Sequence, residues 1–294
     1  MIIEQQLINY LTKKMASFFL SFCSHLPLKL NHYLGAFIGQ LLYLLNTDSK
    51  KVTRQNIAIC FSELSNNEQR SLVKKSLIET GKNLTESSLI WNQSFTENAN
   101  HIRNIYGENY LDTDKKTILL VPHLGCWEIT GRVIANTRAI TFLFKPLKKQ
   151  QQNQYLFERR NQGNLTMASA DQSGVIKLQR ALKQGELVGM LPDQDPGQEG
   201  GIMAPFFNNP VNTMTLLVRL AKKHNARVVM CWANRLKKGR GFDLNFELLD
   251  LTSSSDDLLE QVTLMNGAIE DLIRRFPDQY MWSYRRFKST QSYN

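Results

Sequence analysis

From Thr117 onward, short apolar runs alternate with longer amphipathic stretches. The runs at 117–122, 139–144, 165–170, 187–192, 226–233 and 242–249 have the length and composition of strands. The stretches at 126–136, 151–160, 174–184, 212–224 and 256–276 between and after them are the candidate helices. Alternation of this kind predicts an α/β fold, a mixed and mainly parallel sheet covered by helices. In the last run, Phe242, Leu244 and Phe246 alternate with Asp243, Asn245 and Glu247, so that strand has one wet face. Upstream, 48–60 and 66–91 read as helices, and Ser65 with Glu68 forms a capping box for the second. Gly185 is a natural stop for helix 174–184. Ser255 is placed to cap the helix that ends before Pro277.

The first 46 residues follow another pattern. Residues 15–28 and 30–46 contain no Asp, Glu, Lys or Arg, and Pro27 interrupts the first of them. Neither piece reaches the roughly 20 apolar residues of a full membrane span. Lys13 and Lys14 precede them, and Lys50, Lys51 and Arg54 follow. Two apolar helices flanked by cations suit a shallow anchor in the membrane surface, and they equally suit a hairpin packed on the core. The expected division is residues 1–46 as a membrane-associating region and 47–294 as the domain that carries the chemistry.

Charge narrows the partners. The 294-residue chain has a net charge of +10, with basic clusters at Lys145/Lys148/Lys149, Arg235/Lys237/Lys238/Arg240 and Arg285/Arg286/Lys288. Such a surplus fits an anionic membrane, a phosphorylated substrate or an acidic protein partner. No zinc-finger, RNP or helix-turn-helix signature accompanies it, so nucleic acid is not an expected partner. The four cysteines, at 23, 60, 126 and 231, are far apart in sequence and contain no C-x-x-C pair, which points to free thiols and no zinc site.

The chemistry concentrates at Val121-Pro122-His123-Leu124-Gly125-Cys126-Trp127-Glu128. Of the five histidines, only His123 has an acidic residue five places on. Along one continuous helix, five residues turn through about 500 degrees, and the two side chains would diverge. They converge if His123 ends a strand and Glu128 opens the next helix, with Gly125 allowing the turn between. A carboxylate on one imidazole nitrogen fixes the tautomer and raises the basicity of the other. On this reading Glu128 orients His123, and the amides near Gly125 serve a developing oxyanion. A thiolate at the start of the same helix, Cys126 with His123 as its base, is a rival nucleophile. Asp193 and Asp195 lie just past the run 187–191, where they can hold a metal or orient cationic groups, or close a Pro- and Gly-rich turn. Phe206 and Phe207 are candidates for an apolar ligand pocket, or plain core.

Several segments resemble the late acyltransferases of lipid A biosynthesis, the lauroyl and myristoyl acyltransferases of Gram-negative bacteria. Arg54-Gln55-Asn56-Ile57-Ala58-Ile59-Cys60-Phe61-Ser62-Glu63-Leu64-Ser65 is similar to one block of that family, with Ser62 where Pro is common. Pro122 to Glu128 resembles its H-x4-D/E motif. Leu191-Pro192-Asp193-Gln194-Asp195-Pro196-Gly197 and Ala204-Pro205-Phe206-Phe207-Asn208 resemble two further blocks, Asn208 standing for a usual Gly. Pro277 to Lys288 resembles the family's ending, with Tyr284 for a common His.

The resemblance implies a fold like that of the glycerol-phosphate acyltransferase superfamily. It implies transfer of a fatty acyl chain from acyl carrier protein to a hydroxyl of an anionic, phosphorylated lipid A precursor, at the cytoplasmic face of the bacterial inner membrane. It implies His123, Glu128 and Arg160 as the catalytic set, with Arg159 in reserve for the arginine. Gly125, Asp193, Asp195, Phe206 and Phe207 would bind substrate, and neither metal nor cofactor is expected. Two alternatives are another glycolipid acceptor, such as a phosphoinositol mannoside, and a basic membrane-surface protein without catalysis.

Overall fold

A computed structural model describes residues 18–111, 114–146, 154, 157–197, 200–251 and 256–293. Its centre is a seven-stranded sheet of β1 (Ile102–Tyr106), β2 (Thr117–Leu120), β3 (Ile140–Phe144), β4 (Leu165–Ser169), β5 (Leu187–Met190), β8 (Arg227–Arg235) and β9 (Phe242–Leu249), in the order β1-β9-β8-β2-β5-β3-β4. The five strands from β8 to β4 run parallel, and β9 pairs antiparallel with β8. The expected mixed, mainly parallel sheet is therefore present.

Strand β2 explains why the sheet has a core on both faces. Ile118 and Leu120 point into one apolar cluster, Leu119 and Val121 into the other. All four are fully buried, as an unbroken apolar run in a parallel sheet requires. Strand β9 keeps its expected alternation, with Phe242, Leu244 and Phe246 buried and the polar residues between them partly exposed.

Helices α1 (Leu28–Leu44), α2 (Asp48–Cys60), α3 (Asn66–Asn92) and α4 (Phe95–Ala99) precede the sheet. The Ser65–Glu68 capping box is formed in full at α3. Helix α1 lies against α3 at very short range, because Gly35 and Gly39 meet Gly81, where any Cβ would strike backbone. The other side of α1 leaves Leu30, Tyr33, Phe37, Leu41 and Leu44 exposed. Among the described residues, no helix is long and apolar enough to cross a membrane.

Helices α5 (Trp127–Ala135), α6 (Gln172–Lys183), α7 (Leu216–His224) and α8 (Leu258–Arg275) follow the strands. Most of the expected helix 151–160 lies outside the described residues, and residues 157–160 are helical. Ser255 also lies outside them, and Asp257 caps α8 by accepting from the Glu260 amide at 2.9 Å. The expected helix 212–224 begins only at Leu216. Before it lies a hairpin of β6 (Gly201–Phe206) and β7 (Asn209–Met214). Its two turn residues, Phe207 and Asn208, both have positive φ (48° and 58°), the backbone that a two-residue hairpin turn demands. Asn is one of the few non-glycine residues that accept it, which is why Asn208 can stand in for a Gly.

Candidate active site

Strands β2 and β5 are hydrogen-bonded neighbours, with Leu120 paired to Met190. Three residues beyond each, His123 and Asp193 emerge side by side at the carboxyl edge of the parallel strands. This is where open α/β sheets place ligand sites. His123 Nδ1 lies 2.8 Å from Asp193 Oδ1, and the His123 amide donates to Asp193 Oδ2 at 2.9 Å. Burial disfavours the charge on Asp193, yet His123 outweighs it and holds the carboxyl below its ordinary value. An ionised Asp193 can only accept, so the imidazole proton sits on Nδ1 and the lone pair on Nε2. The ring packs edge-on to Trp127 at 5.2 Å.

Glu128 does open the helix after Gly125, but its carboxylate turns to other partners. Trp91 Nε1 donates to Oε2 at 2.8 Å, and Arg160 donates through Nε at 3.1 Å and through Nη2 to Oε1. Burial raises the Glu128 carboxyl, and the Arg160 charge and hydrogen bonds overcome that and lower it. The expectation that Glu128 orients His123 is thus corrected. Among the described residues, the carboxylate bonded to the imidazole is Asp193, while Glu128 fixes Arg160.

The oxyanion expectation at Gly125 also changes. Gly125 has φ +62°, and a Cβ there would collide with the Ala233 carbonyl. Its amide donates to the Gln279 carbonyl at 3.0 Å, and the Cys126 amide donates to Ala233 at 2.8 Å. Both amides are occupied, so Gly125 serves the tight turn rather than a substrate.

A cavity of about 380 Å³ joins these groups. His123, Trp127, Glu128, Arg160, Gln194 and Asp195 line its polar part, and Phe142, Phe144, Leu165 and Met167 give it an apolar wall. Arg160 rather than Arg159 faces it. The Asp195 carboxylate accepts from the Gly197 amide, Asn212 and Ser289 at 2.8, 3.0 and 2.7 Å, so it braces the loop as well as bordering the cavity. Phe206 and Phe207 do not line it. They are buried against Phe61, Trp282 and Phe287 in the core, so the acyl-pocket reading of this pair is set aside.

Two basic clusters prove to be partly internal. Arg286 is buried and donates to the Asn212 carbonyl at 2.6 Å and to Thr213 Oγ1 at 2.8 Å. Arg235 is buried against Glu86 and Glu79 and donates to the Gly125 carbonyl at 2.6 Å. Lys148 and Lys149 lie outside the described residues. Cys126 is buried too, and burial followed by the Glu86 charge pushes its thiol well above the ordinary value, which removes the thiolate that a cysteine mechanism needs.

Sequence reasoning missed Gln194, Trp91 and the Glu86–Arg235 pair. Gln194 carried a signal, standing between two candidate aspartates. Glu86 and Arg235 are 149 residues apart and carried none.

A model of the bacterial lipid A biosynthesis acyltransferases matches residues 4–289. The chain is similar to the lipid A biosynthesis lauroyltransferase of Escherichia coli (strain K12), with 28% identity over 275 residues, covering 90% of this chain and 87% of that protein. It is also similar to the palmitoleoyltransferase of the same organism, 26% identical over 274 residues with 90% and 87% covered. A third similar protein there is the myristoyltransferase, 24% identical over 271 residues with 87% and 79% covered. With a match across nearly its whole length, the chain belongs to the bacterial lipid A biosynthesis acyltransferase family and is an acyltransferase.

Proposed function

We propose that this enzyme carries out a secondary acylation of lipid A, moving a fatty acyl chain from acyl carrier protein to a hydroxyl on a 3-hydroxyacyl chain of a phosphorylated precursor. The observation that carries the reading is the His123–Asp193 pair opening into a cavity with an apolar wall. His123 Nε2 takes the proton of the attacking hydroxyl, and Asp193 holds the ring in the tautomer that leaves Nε2 unprotonated. Arg160, fixed by Glu128 and stacked over Trp91 at 5.5 Å, supplies a cation for the developing oxyanion or for a substrate phosphate. The thioester is already activated, so the reaction needs neither metal nor redox cofactor. His123→Ala tests this with purified enzyme, acyl carrier protein thioester and lipid A precursor. Turnover should fall roughly 10²–10⁴-fold, with the melting curve largely unchanged. A variant that turns over like its parent rules out the base.

We further propose that the enzyme works at the cytoplasmic face of the inner membrane, with α1 and the residues before it as the attachment region of a glycerol-phosphate-acyltransferase-like fold. The exposed row Leu30, Tyr33, Phe37, Leu41 and Leu44 supports this, since contiguous apolar surface on a helix face marks a contact surface. Apolar insertion is not screened by salt, whereas purely ionic attachment weakens as the Debye length falls from about 10 Å at 0.1 M to about 3 Å at 1 M. Full-length enzyme should float with anionic vesicles in high salt, and Phe37→Glu with Leu41→Glu should make that attachment salt-sensitive. If high salt strips the parent protein, attachment through this face is wrong.

A further inference from the structure

Gln194 makes a contact that the proposed base chemistry does not use. Its Nε2 lies 3.2 Å from His123 Nε2. Because Asp193 accepts from Nδ1, Nε2 carries the lone pair, and the side-chain amide must turn its N–H₂ toward it. In the free enzyme the amide therefore sits over the proposed base. The residues on either side are pinned. Asp193 is held by His123, and the Asp195 amide donates to Tyr284 Oη at 3.1 Å. With the backbone fixed on both sides, the Gln194 side chain can move by its own torsions alone.

A hydroxyl that reaches Nε2 must displace this amide, and the amide then remains next to the reacting atoms. The Gly125 and Cys126 amides are occupied and the His123 amide donates to Asp193, so Gln194 offers a neutral donor at Nε2 itself, beside the cation that Arg160 brings to the cavity.

We propose that Gln194 is a catalytic residue whose side-chain amide caps His123 Nε2 in the free enzyme and, once the acceptor hydroxyl displaces it, donates a hydrogen bond to the carbonyl oxygen of the acyl donor as that oxygen becomes an anion. The proposal rests on acyl transfer with His123 as base. In the first step the hydroxyl oxygen forms a bond to the carbonyl carbon, its proton passes to Nε2, and the carbonyl π pair moves onto the oxygen held by Gln194. In the second the carbonyl reforms, the C–S bond breaks with its electron pair on sulfur, and the thiolate takes the proton from Nε2. No further reactant is required.

Two full-length variants test it. Gln194→Met keeps the length of the side chain and removes its donors, and Gln194→Ala removes the chain. Both should lower kcat by roughly 10²–10³-fold, the weight of one oxyanion donor, with KM little changed and the melting temperature near the parent's. Gln194→Asn, with a donor on a shorter arm, should recover part of the loss. The cap has a readout independent of turnover. Carbethoxylation of His123 by diethyl pyrocarbonate, followed by mass spectrometry, should be several-fold faster in Gln194→Met than in the parent, because the unprotonated nitrogen is uncovered. A folded Gln194→Met enzyme with near-parental kcat overturns the donor role, and unchanged His123 reactivity overturns the cap. The parent reading fails separately: in that case His123→Ala keeps its activity, or the wild-type enzyme transfers no acyl group.

Discussion

Two histidine–carboxylate pairs with the same 2.8 Å separation occupy this molecule, His123 with Asp193 and His32 with Glu86. Distance does not tell them apart. The His123 side chain is 15% exposed and the His32 side chain 5%, while both carboxylates are buried. The larger difference lies on the other side of each carboxylate. Glu86 is also gripped by Arg235, through Nε at 2.8 and 2.9 Å, so its charge is already matched by a fixed cation. Asp193 has His123 as its first electrostatic partner, with Arg286 a weaker one. A carboxylate locked to an arginine makes a buried strut. A carboxylate whose main partner is an imidazole facing a cavity leaves that imidazole able to exchange a proton.

The two pairs are nevertheless joined in space. Arg235 reaches from Glu86 to the Gly125 carbonyl, and the Gly125 amide is held by Gln279, whose side chain also accepts from the Arg235 amide at 2.7 Å. Met281 N–H donates to the His123 carbonyl at 2.9 Å. The buried pair and the C-terminal segment thus hold the turn that presents His123. One pair supplies rigidity, and the other is placed by it.

The comparison breaks first, and hardest, at Asp193. Asp193→Asn keeps the shape but lets the side chain present an amide N–H₂ to Nδ1, which favours the wrong tautomer. Turnover should fall by roughly 10²–10⁴-fold, mainly in kcat, with the fold retained. An Asn variant with parental kcat would show that the proposed base does not depend on this carboxylate.

Glu86→Gln should act on stability instead. Removing the carboxylate leaves Arg235 buried without its main counter-charge, a change that costs roughly 3–5 kcal/mol in buried pairs. Urea unfolding should show the loss, while the kcat of the folded fraction stays close to the parent's. The pH dependence has a defined sign. Burial raises the Glu86 carboxyl, but Arg235 and His32 outweigh it and bring it from its ordinary 4.5 down to about 2. Its contribution to stability is therefore fully present above about pH 4.5 and is lost as the pH falls toward 2. In Glu86→Gln that part of the acid-unfolding slope should disappear, and an unchanged slope would place the acid sensitivity elsewhere.

How much of this was legible before the structure follows from what each feature depends on. The strand 117–122 and the turn at Gly125 are local, and pattern and turn chemistry found both. The His123–Asp193 bond depends on β2 and β5 being sheet neighbours, which no spacing along the chain encodes. The H-x4-E pattern drew attention to the nearer carboxylate, and the fold chose the one 70 residues away. Strand β1 escaped because four of its five residues are exposed and it shows no alternation. The hairpin 201–214 escaped because Pro205 and Pro210 interrupt its pattern and its turn rests on Phe207 and Asn208 rather than on glycine. Arg235 and Arg286 were read with their basic neighbours as surface charge. Only the burial of their surroundings shows them to be internal struts.

His32→Gln should have the smallest effect and sharpens the contrast most. The imidazole Nε2 meets Glu86 Oε2, and a glutamine amide can offer a neutral N–H to the same oxygen. Arg235 continues to neutralise Glu86, so no charge is left unpaired. The expected cost is the exchange of one donor to the carboxylate for another and some edge-on packing with Phe242 at 5.8 Å, about 1 kcal/mol in unfolding free energy. Turnover should be unchanged, because the grip of Arg235 on the Gly125 carbonyl survives. The same substitution at His123 would remove the one imidazole that lines the cavity among the described residues, and turnover should fall by roughly the 10²–10⁴-fold expected of His123→Ala. If His32→Gln instead lowers kcat while stability is kept, the buried pair does more than hold the turn, and the division between strut and base drawn from the two carboxylates fails.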